Sequence, residues 1–319
     1  MGLSPLQQTA VRSSGLSSRT VPWRLLGLTV LIAAITGCAG VDEPETAPRL
    51  SVEDQRFVVP PSTGYPRTLR PGEADRVDSA FQSLLREGER EKAISLSEQL
   101  LSRNPDFHPA IVLAAQVAFL DGDTNRAQEL LVPSPAELSE YTGWQLLLGR
   151  SAEKQNDLVA AFAAYDNVAN LNSAARGKTE ELRPRVAQIL AQRIEDDLQK
   201  GRSEDASAEL ARMEGWLPED TLTLESAAAV ARALDDSEAE LRAVTRLSGR
   251  DPTDRSLAER RATLELEVGD AGAGLRLFQE LAAKYPGDVA LQDELARARF
   301  LWRLQLLPIE AQDLVNSTE

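Results

Sequence analysis

Cysteine and histidine each occur once in this sequence of 319 residues, as Cys38 and His108. A single thiol excludes an intramolecular disulfide. Any catalytic Cys/His pair would have to consist of Cys38 and His108. A Ser/His/Asp triad would also have to use His108, and no nucleophile-elbow motif accompanies that residue. The sequence also lacks a P-loop, a dinucleotide-binding glycine motif and the spacing of zinc ligands. We therefore predict that the protein is not an enzyme and has no cofactor or metal site.

Aromatic residues make up only 5% of the chain. The sequence contains 35 Lys and Arg residues and 50 Asp and Glu residues, which gives a net charge of −15. An acidic surface is a poor match for nucleic acid or anionic lipid, so we expect no nucleic-acid partner. The excess of negative charge indicates a solvated acidic surface or, alternatively, a groove that binds basic peptides. The hydrophobic content of 42% is sufficient for an extended core. The prevalence of Ala, Leu, Glu and Arg predicts an all-helical protein.

One apolar run, residues 25–35, is too short to span a bilayer comfortably. Three arginines precede it, and it is followed by Thr36, Gly37 and Cys38. This segment resembles the signal peptide of bacterial lipoproteins, in which a small residue precedes a cysteine that is diacylated and becomes the new N-terminus. The resemblance implies a cleaved signal peptide at residues 1–37 and lipidation of Cys38. The alternative is a signal anchor in which the cysteine is incidental.

The same resemblance implies a location. The residue after the cysteine is Ala39 rather than Asp, which among lipoproteins of diderm bacteria favours the outer membrane over retention in the inner membrane. A lipid on Cys38 would hold the protein on that membrane with its polypeptide facing the periplasm.

A proline-rich stretch follows at residues 38–72, with mixed charges and little apolar periodicity. We expect these residues to form a disordered tether that is extended and partly polyproline-like. The alternative is a docking motif between Phe57 and Tyr65.

Turn-forming and small residues recur at a fixed spacing in the rest of the chain. The turn positions, separated by 34, 34, 45, 34 and 34 residues, are Gly88, Gly122, Asn156, Gly201, Asp235 and Gly269. The residues five positions later are Ala93, Ala127, Ala161, Ala206, Glu240 and Gly274. Four prolines follow their turn residues by seventeen positions: Pro105, Pro218, Pro252 and Pro286. Gly or Asn suits the left-handed end of a helix, a small residue lets two helices approach, and proline stops the second helix.

A helix–turn–helix period of 34 residues with these landmarks resembles the tetratricopeptide repeat (TPR). The resemblance covers roughly Ala74 to Leu307, with a final helix predicted from Val289 to Arg303. It implies an all-α, TPR-type helix–turn–helix solenoid, an α-α superhelix, at residues 73–307. Residues 308–319 would be a C-terminal tail. The leucine-rich end of the chain from Phe300, which includes Trp302, is predicted either to fold back over the last hairpin or to dock on another protein.

Departures from the repeat predict an irregular solenoid. Eleven extra residues between the third and fourth turns lie around Ser173 to Pro184. The first helix of the fourth unit is therefore predicted to start near Pro184, since proline suits a first helical turn. Glu240 stands where a small residue is expected, and one interpretation shifts the fifth unit by one residue through Ala239. Two prolines, at positions 133 and 135, predict a short second helix in the second unit.

The resemblance also implies a binding surface, because the first helices of tetratricopeptide units line a concave groove. Transferred position by position, the groove residues are Gln116, Phe119, Arg150, Lys154, Glu195, Arg232 and Glu259. Arg150 and Lys154 are one helical turn apart and are predicted to hold a carboxylate of an extended ligand. The alternatives are that both are solvated surface charges, and that Phe119 lies under the neighbouring unit instead of anchoring a peptide.

These observations predict a lipid-anchored periplasmic scaffold that binds a protein or peptide partner in the cell envelope, with the membrane contacted through the N-terminal lipid. The alternative is an accessory lipoprotein of an assembly or secretion machinery for outer-membrane proteins or exopolysaccharide. An envelope hydrolase is a third class, and the sequence provides no catalytic groups that favour it.

Overall fold

The structure is a computed structural model that describes residues 57–86, 89–133 and 135–307. Within these ranges it contains thirteen α-helices, one short 3-10 helix at Ala136–Leu138 and no strand. Outside these ranges lie the predicted signal peptide at 1–37, Cys38, Gly88 and the predicted tail at 308–319. None of the helices in the described ranges has the length and apolar character needed to cross a membrane.

The helices form six units, each an A helix followed by a B helix, and a final helix. In chain order the units are α1 (Glu73–Leu85) and α2 (Arg90–Arg103), α3 (His108–Leu120) and α4 (Thr124–Leu131), α5 (Thr142–Lys154) and α6 (Leu158–Val168), α7 (Ser173–Gln199) and α8 (Ser203–Trp216), α9 (Thr221–Ala233) and α10 (Ser237–Arg250), and α11 (Arg255–Val268) and α12 (Ala271–Lys284). The final helix is α13 (Val289–Gln305). As predicted, the B helix of unit 2 is short and ends before the two prolines at 133 and 135.

Each helix packs against the next one along the chain. A helices of neighbouring units also touch. These contacts join α1 to α3, α3 to α5 and α7 to α9. Packing between helices that are adjacent or next but one in sequence is the arrangement of a helical solenoid. The predicted fold class, an all-α TPR-type helix–turn–helix solenoid, is confirmed. The predicted final helix is confirmed as well, and its Leu291, Leu295 and Ala298 are buried.

The turn between the A and B helices has the same geometry in five units. The turn residues with positive φ are Gly122, Asn156, Gly201, Asp235 and Gly269. The next residue caps the B helix in four of these units, where Asp123, Asp157, Asp236 and Asp270 accept a hydrogen bond from the backbone N–H three residues later. Such caps satisfy backbone donors that the first helical turn leaves free. Turn and cap together begin each of these B helices two residues after the turn position.

The fourth unit departs from the prediction. Its A helix begins at Ser173, capped by Asn172, and Pro184 lies inside the helix instead of starting it. The extra residues continue the helix because they carry their own buried stripe, Ala175, Thr179 and Leu182, spaced four and three residues apart. Packing of this stripe outweighs the backbone hydrogen bond that the exposed Pro184 cannot donate.

Glu240 does not shift the fifth unit. Asp236 caps α10 at the same offset from the turn as in the other units, and Glu240 occupies the position of the small residue. Its side chain is 1% exposed. The interpretation of a one-residue shift through Ala239 is therefore wrong. Ion pairs with Arg232 and Arg260 allow the Glu240 carboxylate to be buried at a small-residue position without a change of register.

Candidate functional site

Residues 57–69, here called the N-terminal segment, lie on the A helices of units 1–3. We expected a disordered tether at these positions, and the structure instead places them against the helices. The segment forms no helix or strand, but its apolar side chains Phe57, Val58, Val59, Tyr65 and Leu69 pack against the cores beneath it. Burial of these side chains provides the apolar contact that a proline-rich sequence alone does not reveal.

Polar contacts attach the N-terminal segment to the middle of one A helix and to the starts of two others. Ser62 donates hydrogen bonds from its backbone N–H and its hydroxyl to the carboxylate of Asp78 on α1. Tyr141, which precedes α5, donates its hydroxyl proton to the carbonyl oxygen of Pro61. The Tyr65 hydroxyl lies 3.3 Å from Nδ1 of His108 at the start of α3. The segment is thus joined to the A helices of three successive units.

An aromatic cluster surrounds Tyr65. Its ring centroid lies 5.4 Å from that of Tyr141, 6.0 Å from that of His108 and 6.5 Å from that of Phe107. Trp144 packs on the other side of His108, with centroids 5.6 Å apart and the rings nearly perpendicular. Edge-to-face contacts of this kind add to the stabilisation from area burial alone. Tyr65 is therefore an anchor of the segment.

Burial also determines the protonation of this cluster. It lowers the pKa of His108, and the nearby Arg67 lowers that pKa further. It raises the pKa of Tyr65 and of Tyr141. At neutral pH the imidazole and both phenols are thus uncharged.

Phe57 is the second anchor of the segment, and it lies on Arg150. The Arg150 guanidinium carbon is 5.2 Å from the centroid of Phe57 and 4.6 Å from that of Phe119. Arg150 is only 7% exposed, so its stacking takes place away from bulk water, where cation–π attraction is strongest. Lys154, one turn later, is exposed. The two predicted ligands of a carboxylate therefore lie in different surroundings.

The other predicted groove residues fall into two groups. Phe119 and Gln116 are buried on α3, at 9% and 6% exposure, and Nε2 of Gln116 has no hydrogen-bond partner among the described residues. Arg232 and Glu259 take part in ion pairs within the solenoid, with Glu240 on α10 and Arg255 on α11 respectively. Within the described ranges, no group of three or more His, Cys, Asp or Glu side chains is placed to hold a metal ion.

Glu195 belongs to an open part of the A-helix face, a cleft of about 670 Å³ between α7 and α9 that we call the α7/α9 cleft. Its lining consists of Gln188, Ala191, Gln192, Ile194, Glu195, Leu198, Leu222, Glu225, Ser226 and Ala229. The charged side chains of this lining are Glu195 and Glu225, both exposed, whereas Leu198 and Leu222 are half-buried. The cleft therefore combines an apolar floor with an acidic rim.

Sequence reasoning missed several residues of this site. Asp78, Tyr141 and Glu225 carry no pattern of their own, and the sequence assigns His108 no binding role. The available signal is the run of aromatic residues and prolines from Phe57 to Tyr65, for which a docking motif is the alternative prediction.

No protein-family model matches this chain, and no curated protein matches it. Solved structures that do match include the crystal structure of the P58(IPK) TPR domain, which is 12% identical, covers 74% of this chain and 68% of its own, and has a TM-score of 0.31. The TPR2AB domain of yeast Sti1 in a pHSP90 complex is 16% identical, covers 70% of this chain and 96% of its own, with a TM-score of 0.28. A TPR protein of Thermus thermophilus is 19% identical, covers 71% of this chain and 98% of its own, with a TM-score of 0.26. The TPR-type fold of this chain follows from its own helix order and 34-residue spacing.

Proposed function

We propose that the protein is a lipid-anchored scaffold of the cell envelope, facing the periplasm from the outer membrane, that binds a protein or peptide partner. The α7/α9 cleft is the observation that supports the proposed binding of a partner. Its volume of about 670 Å³ lies within the range of ligand sites, and its long sides are two packed helices. An extended peptide fits a cleft between two helices better than the convex surface of a folded protein does.

The rim of the cleft favours a basic partner. Glu195 and Glu225 are exposed on neighbouring A helices, and the whole chain carries a net charge of −15. A peptide with Lys or Arg on both sides of an apolar residue places its charges on this rim and its apolar residue on Leu198 and Leu222. Charge complementarity of this kind raises the association rate and excludes acidic competitors.

The charge of the rim provides a direct test. We expect Glu195→Lys/Glu225→Lys to weaken binding of a fluorescein-labelled peptide of alternating Lys and Leu by at least about tenfold, a difference of about 1.4 kcal/mol. The loss should shrink at high salt, since exposed charges are screened. Fluorescence anisotropy at two salt concentrations measures both effects.

The matched control is Glu129→Lys/Glu238→Lys, which makes the same change of charge at two exposed carboxylates on B helices. It should leave the anisotropy titration nearly unchanged, and a labelled peptide of alternating Glu and Leu should not bind the wild-type protein. Equal losses in the two double variants would mean that net charge, and not the cleft, attracts the peptide, and the proposed cleft would be rejected.

Support for the anchor comes from the sequence alone, in the apolar run at 25–35 and the Thr36, Gly37 and Cys38 that follow it. We expect Cys38→Ser to abolish incorporation of a fatty-acid analogue and to leave the protein uncleaved or released from the membrane, because the thiol is the acceptor of the lipid. Metabolic labelling followed by membrane fractionation checks both outcomes. Label on the serine variant equal to that on the wild type would rule out the lipoprotein interpretation.

A further inference from the structure

The surface beneath the N-terminal segment offers polar and cationic groups beside apolar ones. Phe57 and Val59 pack on the mainly aliphatic cluster of units 3 and 4. The segment also contacts Asp78, His108, Tyr141 and Arg150, the groups that hydrogen-bond to it or stack on it. Aromatic residues and Arg are enriched where one protein binds another.

The segment is also held at separated points. Phe57 lies at Arg150, Pro61 and Ser62 lie at Tyr141 and Asp78, and Tyr65 lies at His108. One backbone hydrogen bond within the segment is present, from Thr63 N to Pro60 O. Sparse backbone hydrogen bonding and apolar side chains that are only half-buried, such as Val58, Val59 and Leu69, are features of an element that opens at low free energy.

We propose that the A helices of units 1–3 form a binding site for an extended peptide with an aromatic residue at each end and a proline pair between them, and that residues 57–69 are its resident ligand. The site deepens the proposed function, since it names the peptide chemistry that this part of the A-helix face takes. Phe57 occupies the cation–π position on Arg150, and Tyr65, eight residues later, occupies the aromatic cluster around His108. The α7/α9 cleft takes no part in it, so the two proposals can fail separately.

Competition follows from the covalent link. A ligand attached to its own site acts at an effective concentration of about a millimolar when the connection is short and flexible. A second peptide of the same pattern must therefore displace the resident segment, and it binds the wild-type protein weakly. Weakening the resident segment without altering the site removes this competition.

The experiment uses the full chain and a fluorescein-labelled synthetic peptide of residues 57–69. Phe57→Ala/Tyr65→Ala removes both aromatic anchors of the resident segment and leaves Asp78, His108, Tyr141 and Arg150 in place. We expect the labelled peptide to bind this double variant at least tenfold more tightly than it binds the wild type. The same peptide with both aromatic residues replaced by alanine should bind neither protein. If the double variant retains the wild-type circular dichroism and melting temperature but does not bind the labelled peptide, the segment is a fixed part of the fold and the proposal is overturned.

Hydrogen exchange of the wild-type protein tests the same point when the double variant does not fold. The amides of Ser62 and Thr63 are both hydrogen-bonded, to Asp78 and to Pro60. We expect them to exchange through a local opening, at least a hundredfold faster than the slowest amides of α3 and α5. Protection equal to that of these helices would show that the segment leaves only when the solenoid unfolds, and it would overturn the proposal.

Discussion

Replacing Arg232 and Arg260 together with alanine is expected to lower the free energy of unfolding by about 3 kcal/mol, because it leaves a buried carboxylate without its two cations. Glu240 accepts hydrogen bonds from Arg232 Nη2 at 2.6 Å and from Arg260 Nη2 at 2.5 Å. The three side chains link α9, α10 and α11, so the fifth and sixth units share the ion pairs. Chemical denaturation of the double variant and the wild type at pH 7 measures the difference.

The pKa of Glu240 supports this assignment. Burial alone would raise it, but hydrogen bonds and charge from Arg260 and Arg232 outweigh burial and hold the pKa below its usual range. A depressed carboxyl pKa contributes stability that is present above the pKa of the unfolded chain, near 4.3, and that is lost as the pH falls through the folded pKa. The difference between the double variant and the wild type should therefore be larger at pH 7 than at pH 4.

A third substitution provides the control. In four other units the position of Glu240 is an alanine that is fully buried: Ala93, Ala127, Ala161 and Ala206. Adding Glu240→Ala to the arginine double variant should therefore recover most of the lost stability, since an alanine there needs no cation. If the triple variant is no more stable than the double variant, the loss comes from the arginine side chains themselves and not from an unpaired carboxylate.

Glu240 illustrates what the repeat spacing predicts and what it leaves open. The turn residues predict helix boundaries well, because a residue with positive φ and a capping aspartate act locally, as Asn156 and Asp157 do. A buried carboxylate at a small-residue position depends on arginines that are eight residues before and twenty residues after it. No local pattern shows that such partners will meet, so the sequence suggested a shift of register instead.

The start of α7 and the position of the N-terminal segment were missed for related reasons. Pro184 is a strong local signal for a first helical turn, but a buried stripe before it, including Ala175 and Leu182, stabilises a longer helix. Proline-rich residues before unit 1 have no apolar periodicity of their own, and their packing depends on contacts with Tyr141 and Arg150 that lie more than seventy residues away. Local propensity is outweighed by tertiary packing in both places.

The contact between α5 and α6 is where a single substitution should have the other large effect. Ala161 is fully buried in this contact. The two helices are so close that a Cβ atom added to Gly149 would lie 2.6 Å from a ring carbon of Tyr165. Packing this close accepts a hydrogen at Gly149 and a methyl group at Ala161, but not an indole ring.

We expect Ala161→Trp to lower the free energy of unfolding by about 3 kcal/mol, because the indole forces α5 and α6 apart and strains the packing of Tyr165. Chemical denaturation followed by circular dichroism at 222 nm measures the change. Ala208→Trp is the matched control, since Ala208 lies exposed within α8, and it should stay within about 0.5 kcal/mol of the wild type. Equal stability of the two tryptophan variants would mean that Ala161 does not lie between closely packed helices. The small residue five positions after the turn would then have no packing role in the third unit.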